Sequence, residues 1–274
     1  MKTSISTFVY FNYTLEETVE RISQCGYQGV EIWGGRPHAY RNDLSGEEII
    51  NLRGLIEKSG MEISAFIPAQ FRYPTCLCSP NSRIREDSVS YIKDSIVTSV
   101  AFGCHRISIC PGHTLHGQGY DNGMAQLKKS VKELHEFAYS KDVILYIEPA
   151  HSFESDLLLT IKDGVDFISE LDLDNLGIVL DTGHCHVNNE SLPECVSLIK
   201  DFHFHIHLDD NMGGSDDHKV PGEGNINFLP FFKELKNIGY DGYLTVELGW
   251  NYTLEPDKAA IASREKIESL LLEV

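Results

Sequence analysis

A closed (β/α)₈ barrel is the fold this sequence predicts, on two observations. Short apolar runs alternate with longer segments of helical period along all 274 residues, and the runs number eight. Eight βα units in a chain of this length favour a closed parallel barrel over an open doubly wound sheet. Barrels of about 250 residues routinely form one domain, so a single domain over 1–274 is expected.

The strands are expected at 5–10, 29–33, 62–66, 106–110, 143–148, 177–181, 202–207 and 243–247. Helical period falls between them at 14–25, 46–59, 84–102, 126–140, 161–171, 228–238 and 256–272, with a short helix after Leu192. Several helices end on glycine before the next strand, as in Cys25-Gly26-Tyr27, Ser59-Gly60-Met61 and Ile238-Gly239-Tyr240. Glycine just past a helix tolerates the left-handed conformation that caps it.

Composition narrows the function. A hydrophobic content of 42% can fill one large core. No apolar run approaches the roughly 20 residues needed to cross a bilayer, so no membrane partner is expected. The N-terminus leads straight into a strand pattern without a signal-peptide pattern, which predicts a cytoplasmic protein. The seven scattered cysteines are expected to be reduced, with Cys76-x-Cys78 in a loop or core role. A formal charge of −18 would repel a phosphate backbone, so nucleic acid is a poor partner.

In such a barrel, chemistry gathers at the C-terminal ends of the strands. Three predicted strands end on an acid after an apolar run: Glu148, Asp181 and Glu247. In the seventh, Phe202, Phe204, Ile206 and Leu208 take one face while His203, His205 and His207 take the other. His203, deepest in the strand, is expected as a hydrogen-bonded core group and His207, at the rim, as a ligand. Glu148, Asp181, His207 and Glu247 would then form an oxygen-rich site for one divalent ion, manganese first, with magnesium, cobalt or zinc as alternatives. Without a cation, facing carboxylates would repel and some would stay protonated. His113, after the fourth strand, is expected on the same rim.

With these residues in register, the chain resembles the sugar phosphate isomerase/epimerase superfamily of xylose isomerase-like TIM barrels, and within it the ketose 3-epimerases. Glu148-Pro149 with Glu154 six residues on, Asp181-Thr182-Gly183-His184, His205-Ile206-His207 and Val246-Glu247 carry the likeness. The resemblance implies that Glu148, Asp181, His207 and Glu247 bind the metal and that Glu154 and His184 touch substrate hydroxyls. Gly29-Val30-Glu31-Ile32-Trp33-Gly34-Gly35-Arg36-Pro37-His38-Ala39, Ser215-Asp216-x-His218 and Pro221-Gly222-Glu223-Gly224 are similar to the fructoselysine 3-epimerase branch. That likeness adds Trp33, Arg36 and His218 to the substrate-binding set.

One departure bears on substrate. The simple ketose 3-epimerases carry arginine three residues before the Pro-Gly turn, where this chain has His218 in a loop lengthened by Met212-Gly213-Gly214. A sugar bearing a substituent, such as a sugar-amine, is therefore the expected small-molecule partner. The reaction implied is C3 epimerisation through a metal-stabilised enediolate, with Glu148 and Glu247 as acid/base pair. The resemblance also implies a homo-oligomer, dimer or tetramer. Rival readings are another sugar or inositol isomerase or dehydratase, a metal-dependent abasic-site endonuclease, and a non-catalytic sugar-binding barrel.

Overall fold

The computed structural model describes residues 1–70 and 75–274. Strands β1 (Lys2–Ser6), β2 (Gly29–Gly34), β3 (Glu62–Pro68), β4 (Arg106–Ile109), β5 (Ile144–Ile147), β6 (Leu176–Asp181), β7 (Phe204–Leu208) and β8 (Tyr243–Val246) run parallel and pair in chain order. Pairing of β8 with β1 closes the sheet into a barrel, which removes its edges. Between and after them lie α1 (Leu15–Gln24), α2 (Gly46–Lys58), α3 (Ser82–Ala101), α4 (Tyr120–Tyr139), α5 (Ile161–Leu171), α6 (Thr182–Val187), α7 (Leu192–Ile199), α8 (Phe228–Asn237) and α9 (Pro256–Leu271).

Local chemistry sets the helix ends. Thr14 with Glu17 and Ser45 with Glu48 close capping boxes on α1 and α2, satisfying backbone N–H groups that the helix leaves free. Gly26, Gly60 and Gly239 have φ of 84°, 72° and 72°, the left-handed conformation anticipated for these turns.

The apolar core lies between sheet and helices, where Ile32, Leu145, Ile178, Leu180, Ile206 and Val246 are fully buried. Truncating one of these to alanine should cost about 2–5 kcal/mol. Inside the barrel much of the filling is polar instead. Ser4 Oγ and Ser64 Oγ lie 2.7 Å apart, and Ser108 and Thr245 are buried with them.

Three expectations need correction. The first strand is Lys2–Ser6, not 5–10, because Ser6 caps a 3₁₀ turn over Thr7–Tyr10 by accepting from Phe8 N–H. Helix α4 begins at Tyr120, six residues before its apolar period becomes readable at 126, since its first turn is polar. His203 is not a core group: β7 starts one residue later, and the His203 side chain is exposed while its carbonyl accepts from Ile178 N–H.

All seven cysteines are free, and Cys76 Sγ and Cys78 Sγ are 3.9 Å apart. Among the described residues, no helix is long and apolar enough to cross a membrane.

Candidate active site

At the C-terminal mouth, β5, β6, β7 and β8 deliver Glu148, Asp181, His207 and Glu247, each with one ligand-type atom within 4.8 Å of the others. Glu148 and Glu247 follow directly on their strands, where their N–H groups donate to Ile109 and Leu208 carbonyls and hold the side chains at the rim. Asp181 ends β6 and caps α6: its Oδ1 accepts from His184 N–H at 2.8 Å, while its buried Oδ2 accepts no hydrogen bond. His207 Nδ1 lies 2.8 Å from Glu148 Oε1, 3.0 Å from Glu247 Oε2 and 4.0 Å from Asp181 Oδ2.

Behind His207 stands a residue that sequence reasoning missed in this role. Glu31, on β2, is fully buried, and its Oε2 lies 3.1 Å from His207 Nε2 and 3.2 Å from His205 Nε2. If Nε2–H of His207 donates to Glu31, a neutral ring points its Nδ1 lone pair at two carboxylates. That contact is repulsive unless a cation stands between them, the ring takes a second proton, or a carboxyl is protonated and donates to it.

The electrostatics state the same demand for positive charge. Burial works against protonation of His207, but Glu31, Glu148 and Glu247 together hold its pKa well above the usual imidazole range. Burial, reinforced by Asp209, pushes the Asp181 carboxyl well up. Burial also opposes ionisation of Glu247, yet His207 outweighs it and lowers the pKa. A divalent ion fits this donor set: three carboxylates and one imidazole, with an orphaned buried oxygen facing the cluster.

A second polar group adjoins the first. Asp216, its side chain 3% exposed, places Oδ2 at 3.2 Å from His151 Nε2, 3.3 Å from His184 Nε2 and 2.8 Å from His218 Nε2. Gly183 makes room: a Cβ there would lie 2.4 Å from an Asp209 carboxylate oxygen and 2.6 Å from one of Asp216. His218 itself has φ 43°, an uncommon conformation for a residue other than glycine. The Pro221-Gly222-Glu223-Gly224 turn is explained by Asp210, whose carboxylate accepts from the N–H groups of Gly222, Gly224 and Ile226.

Glu148, Glu247, Glu154, His184 and His218 border one cavity of about 440 Å³. Its other wall is aromatic. Phe8 meets Trp33 and Trp250 edge-on, with ring centroids 5.1 and 5.0 Å apart. Two expected members do not join the lining. Arg36 chelates Asp43, stacks on Tyr40 and is 68% exposed. His113 contacts its neighbour's carbonyl, Thr114 O, at 2.9 Å and faces Asp156 at 3.6 Å. The uncommon Arg36-Pro37-His38 string instead builds the support of Trp33: His38 Nδ1 and the Trp33 N–H both meet Thr7 Oγ1.

Residues 19–270 match the family model described as xylose isomerase-like TIM barrel, and the chain belongs to that family. It is 28% identical to fructoselysine 3-epimerase of Shigella flexneri, an alignment covering 100% of this chain and 99% of the relative. Psicose 3-epimerase of Ruminiclostridium cellulolyticum is 24% identical across 84% of this chain and 76% of its own length. Among solved structures, a D-tagatose 3-epimerase-like protein superposes with a TM-score of 0.86 at 26% identity, covering 100% of this chain and 98% of that one.

Proposed function

We propose that this chain is a divalent-metal-dependent ketose 3-epimerase, one barrel domain acting on an amine-substituted ketose of the fructoselysine kind. It is an enzyme of the isomerase class, as its relatives are sugar epimerases. The observation that carries the metal reading is His207, whose two ring nitrogens both face carboxylates in a cluster of three acids at the barrel mouth. Glu148, Asp181, His207 and Glu247 would hold the ion, and the hard donor set favours Mn²⁺. A divalent ion there supplies Lewis acidity at the substrate's ketone and adjacent hydroxyl.

The protein's own groups do the rest. Glu148 and Glu247 stand on strands three apart and approach the same point from different sides of the mouth. One carboxylate removes the C3 proton, the electron pair moves into the enediolate, and the other, protonated, delivers its proton to the opposite face. Glu31 holds the His207 ring in place, and Asp181 is fixed by capping α6. Glu154, whose pKa burial raises, and His184 border the cavity where substrate hydroxyls would lie.

The cavity chemistry supports the substrate class. Its described lining carries the acids Glu148, Glu154, Asp216 and Glu247, whose negative charge suits a cationic substituent on the sugar. The Phe8–Trp33–Trp250 wall offers ring faces and edges to a substituent, and an ammonium near such rings is stabilised by about 0.5–2 kcal/mol. Incubation of Mn²⁺-loaded protein with fructoselysine, psicose and tagatose in deuterated water, followed by NMR, tests the proposal. Deuterium should enter C3, fastest with the ketosamine; label at C1 alone would replace epimerisation by aldose–ketose isomerisation.

A further inference from the structure

We propose that Cys76 and Cys78 form a reversible dithiol that a hydroperoxide closes to a disulfide, and that closure loosens the cavity wall at Gln70. The thiol chemistry stands apart from the epimerase reading; only its effect on substrate binding rests on that reading.

A turn builds the pair. Ser79 N–H donates to the Cys76 carbonyl at 3.2 Å, and this four-residue turn brings the two sulfurs to 3.9 Å. Their surroundings differ. Cys78 is fully buried: a Cβ on Gly112 would lie 3.3 Å from its sulfur, and its carbonyl accepts from Gln118 Nε2 at 2.7 Å. Cys76 is partly exposed. The Cys78 thiol donates to Cys76 Sγ and, with the Cys78 N–H, Ser79 and His113, outweighs burial and lowers the Cys76 pKa to about 7. The same contact, with burial, drives the Cys78 thiol far up. An accessible thiolate beside a buried thiol separates the attacking from the resolving role. Cys185 and Cys195 also interact, but at 1% and 2% exposure they are closed to an oxidant.

The chemistry balances with the hydroperoxide as oxidant. The Cys76 thiolate attacks the peroxide; its O–O bond breaks, an S–O bond forms, and the leaving oxygen takes a proton to become an alcohol or water. The Cys78 sulfur then attacks Cys76 Sγ. The S–O bond breaks as the S–S bond forms, and the departing hydroxide takes the Cys78 thiol proton as water. Two thiols are oxidised, one peroxide is reduced, and an external dithiol reverses the change.

The bond draws the sulfurs from 3.9 Å to about 2.0 Å. Cys78 is wedged against Gly112, so Cys76 must move. Its N–H donates to Ser88 Oγ at 2.7 Å, and the buried Thr75 before it accepts from Gln70 Nε2 at 3.4 Å. Gln70 borders the cavity, and its Oε1 accepts from Cys110 N–H at 3.1 Å. A shift of Cys76 therefore reaches the cavity through Thr75 and Gln70.

The reduced full chain is treated with hydrogen peroxide, denatured in N-ethylmaleimide and digested with trypsin for mass spectrometry. The peptide carrying both cysteines should lose two hydrogens and bind no maleimide, while Cys185 and Cys195 stay labelled; dithiothreitol should restore both thiols. Cys78→Ser should strand Cys76 as a sulfenic acid that dimedone captures, and Cys76→Ser should leave Cys78 a free thiol, with folding checked by circular dichroism. The wild-type peptide decides the matter if a variant does not fold. Oxidation of other cysteines ahead of this pair, or a disulfide between chains, would overturn the dithiol. In the oxidised wild type the KM for an accepted ketose should rise about threefold with kcat kept, and should recover on reduction. An unchanged KM would overturn the link to Gln70. A bridge that forms in a chain accepting no ketose would uphold the dithiol and count against the epimerase reading.

Discussion

The two walls of the cavity solve different problems. The wall from β5 to β8 carries the ionisable groups, most of them buried and held by backbone capping or by one another. The wall from β1 and β2, completed by Trp250, is aromatic, and its polar residues lie behind the rings rather than in front of them. Under the proposed function the first wall carries the chemistry and the second the substrate choice, so damage to each should read out differently.

The largest effect should come from the acidic wall. Glu148→Gln or Glu247→Gln keeps shape but removes a carboxylate proposed to carry the proton, and kcat should fall about 10³-fold with little change in folding. A rise in KM with kcat unchanged would place these residues in binding.

The next effect concerns the support of the aromatic wall. Burial pushes the His38 imidazole down to about 4. In the unfolded chain it titrates near the ordinary value of about 6.5. Its neutral burial therefore contributes stability that is present above pH 6.5 and lost as pH falls through 4, because the unfolded state takes up the proton first. Across that window the loss is about 3 kcal/mol. Urea denaturation at pH 7 and pH 4 should show the wild type losing about that much more than His38→Gln; parallel losses would discard His38 as the acid-sensitive group.

Glu31 links the walls, since it grows from the aromatic side and holds a histidine of the acidic one. Glu31→Gln should weaken Mn²⁺ binding about 10–100-fold in a direct titration, while KM for a substrate at saturating metal changes little. Unchanged metal affinity would reduce Glu31 to a packing residue. The smallest effect belongs to Trp250→Ala, which should raise KM for a ketosamine about fivefold and leave free ketoses within about twofold, in keeping with roughly 1 kcal/mol for a cation against a ring.

The barrel and the cluster of three acids and one histidine at its mouth were legible because both follow from period. Glu148, Asp181 and Glu247 end apolar runs, and the parity of β7 turns His205 and His207 inward. Parity failed only at His203, where the strand had not yet begun. Glu31 was hidden in the run Gly29-Val30-Glu31-Ile32-Trp33, although a carboxylate inside an apolar strand was itself a signal. Asp216 and His151 lie on loops, where no period tells which way a side chain points. Arg36 and His113 were drawn to the cavity by a shared string and by nearness to a strand end, and neither fixes a direction.

The most direct test of the account is an anomalous difference map from a crystal soaked in Mn²⁺. A single strong peak within bonding distance of Glu148, Asp181, His207 and Glu247 is the predicted result. A map with no density among these four residues, in crystals of active protein, would contradict it.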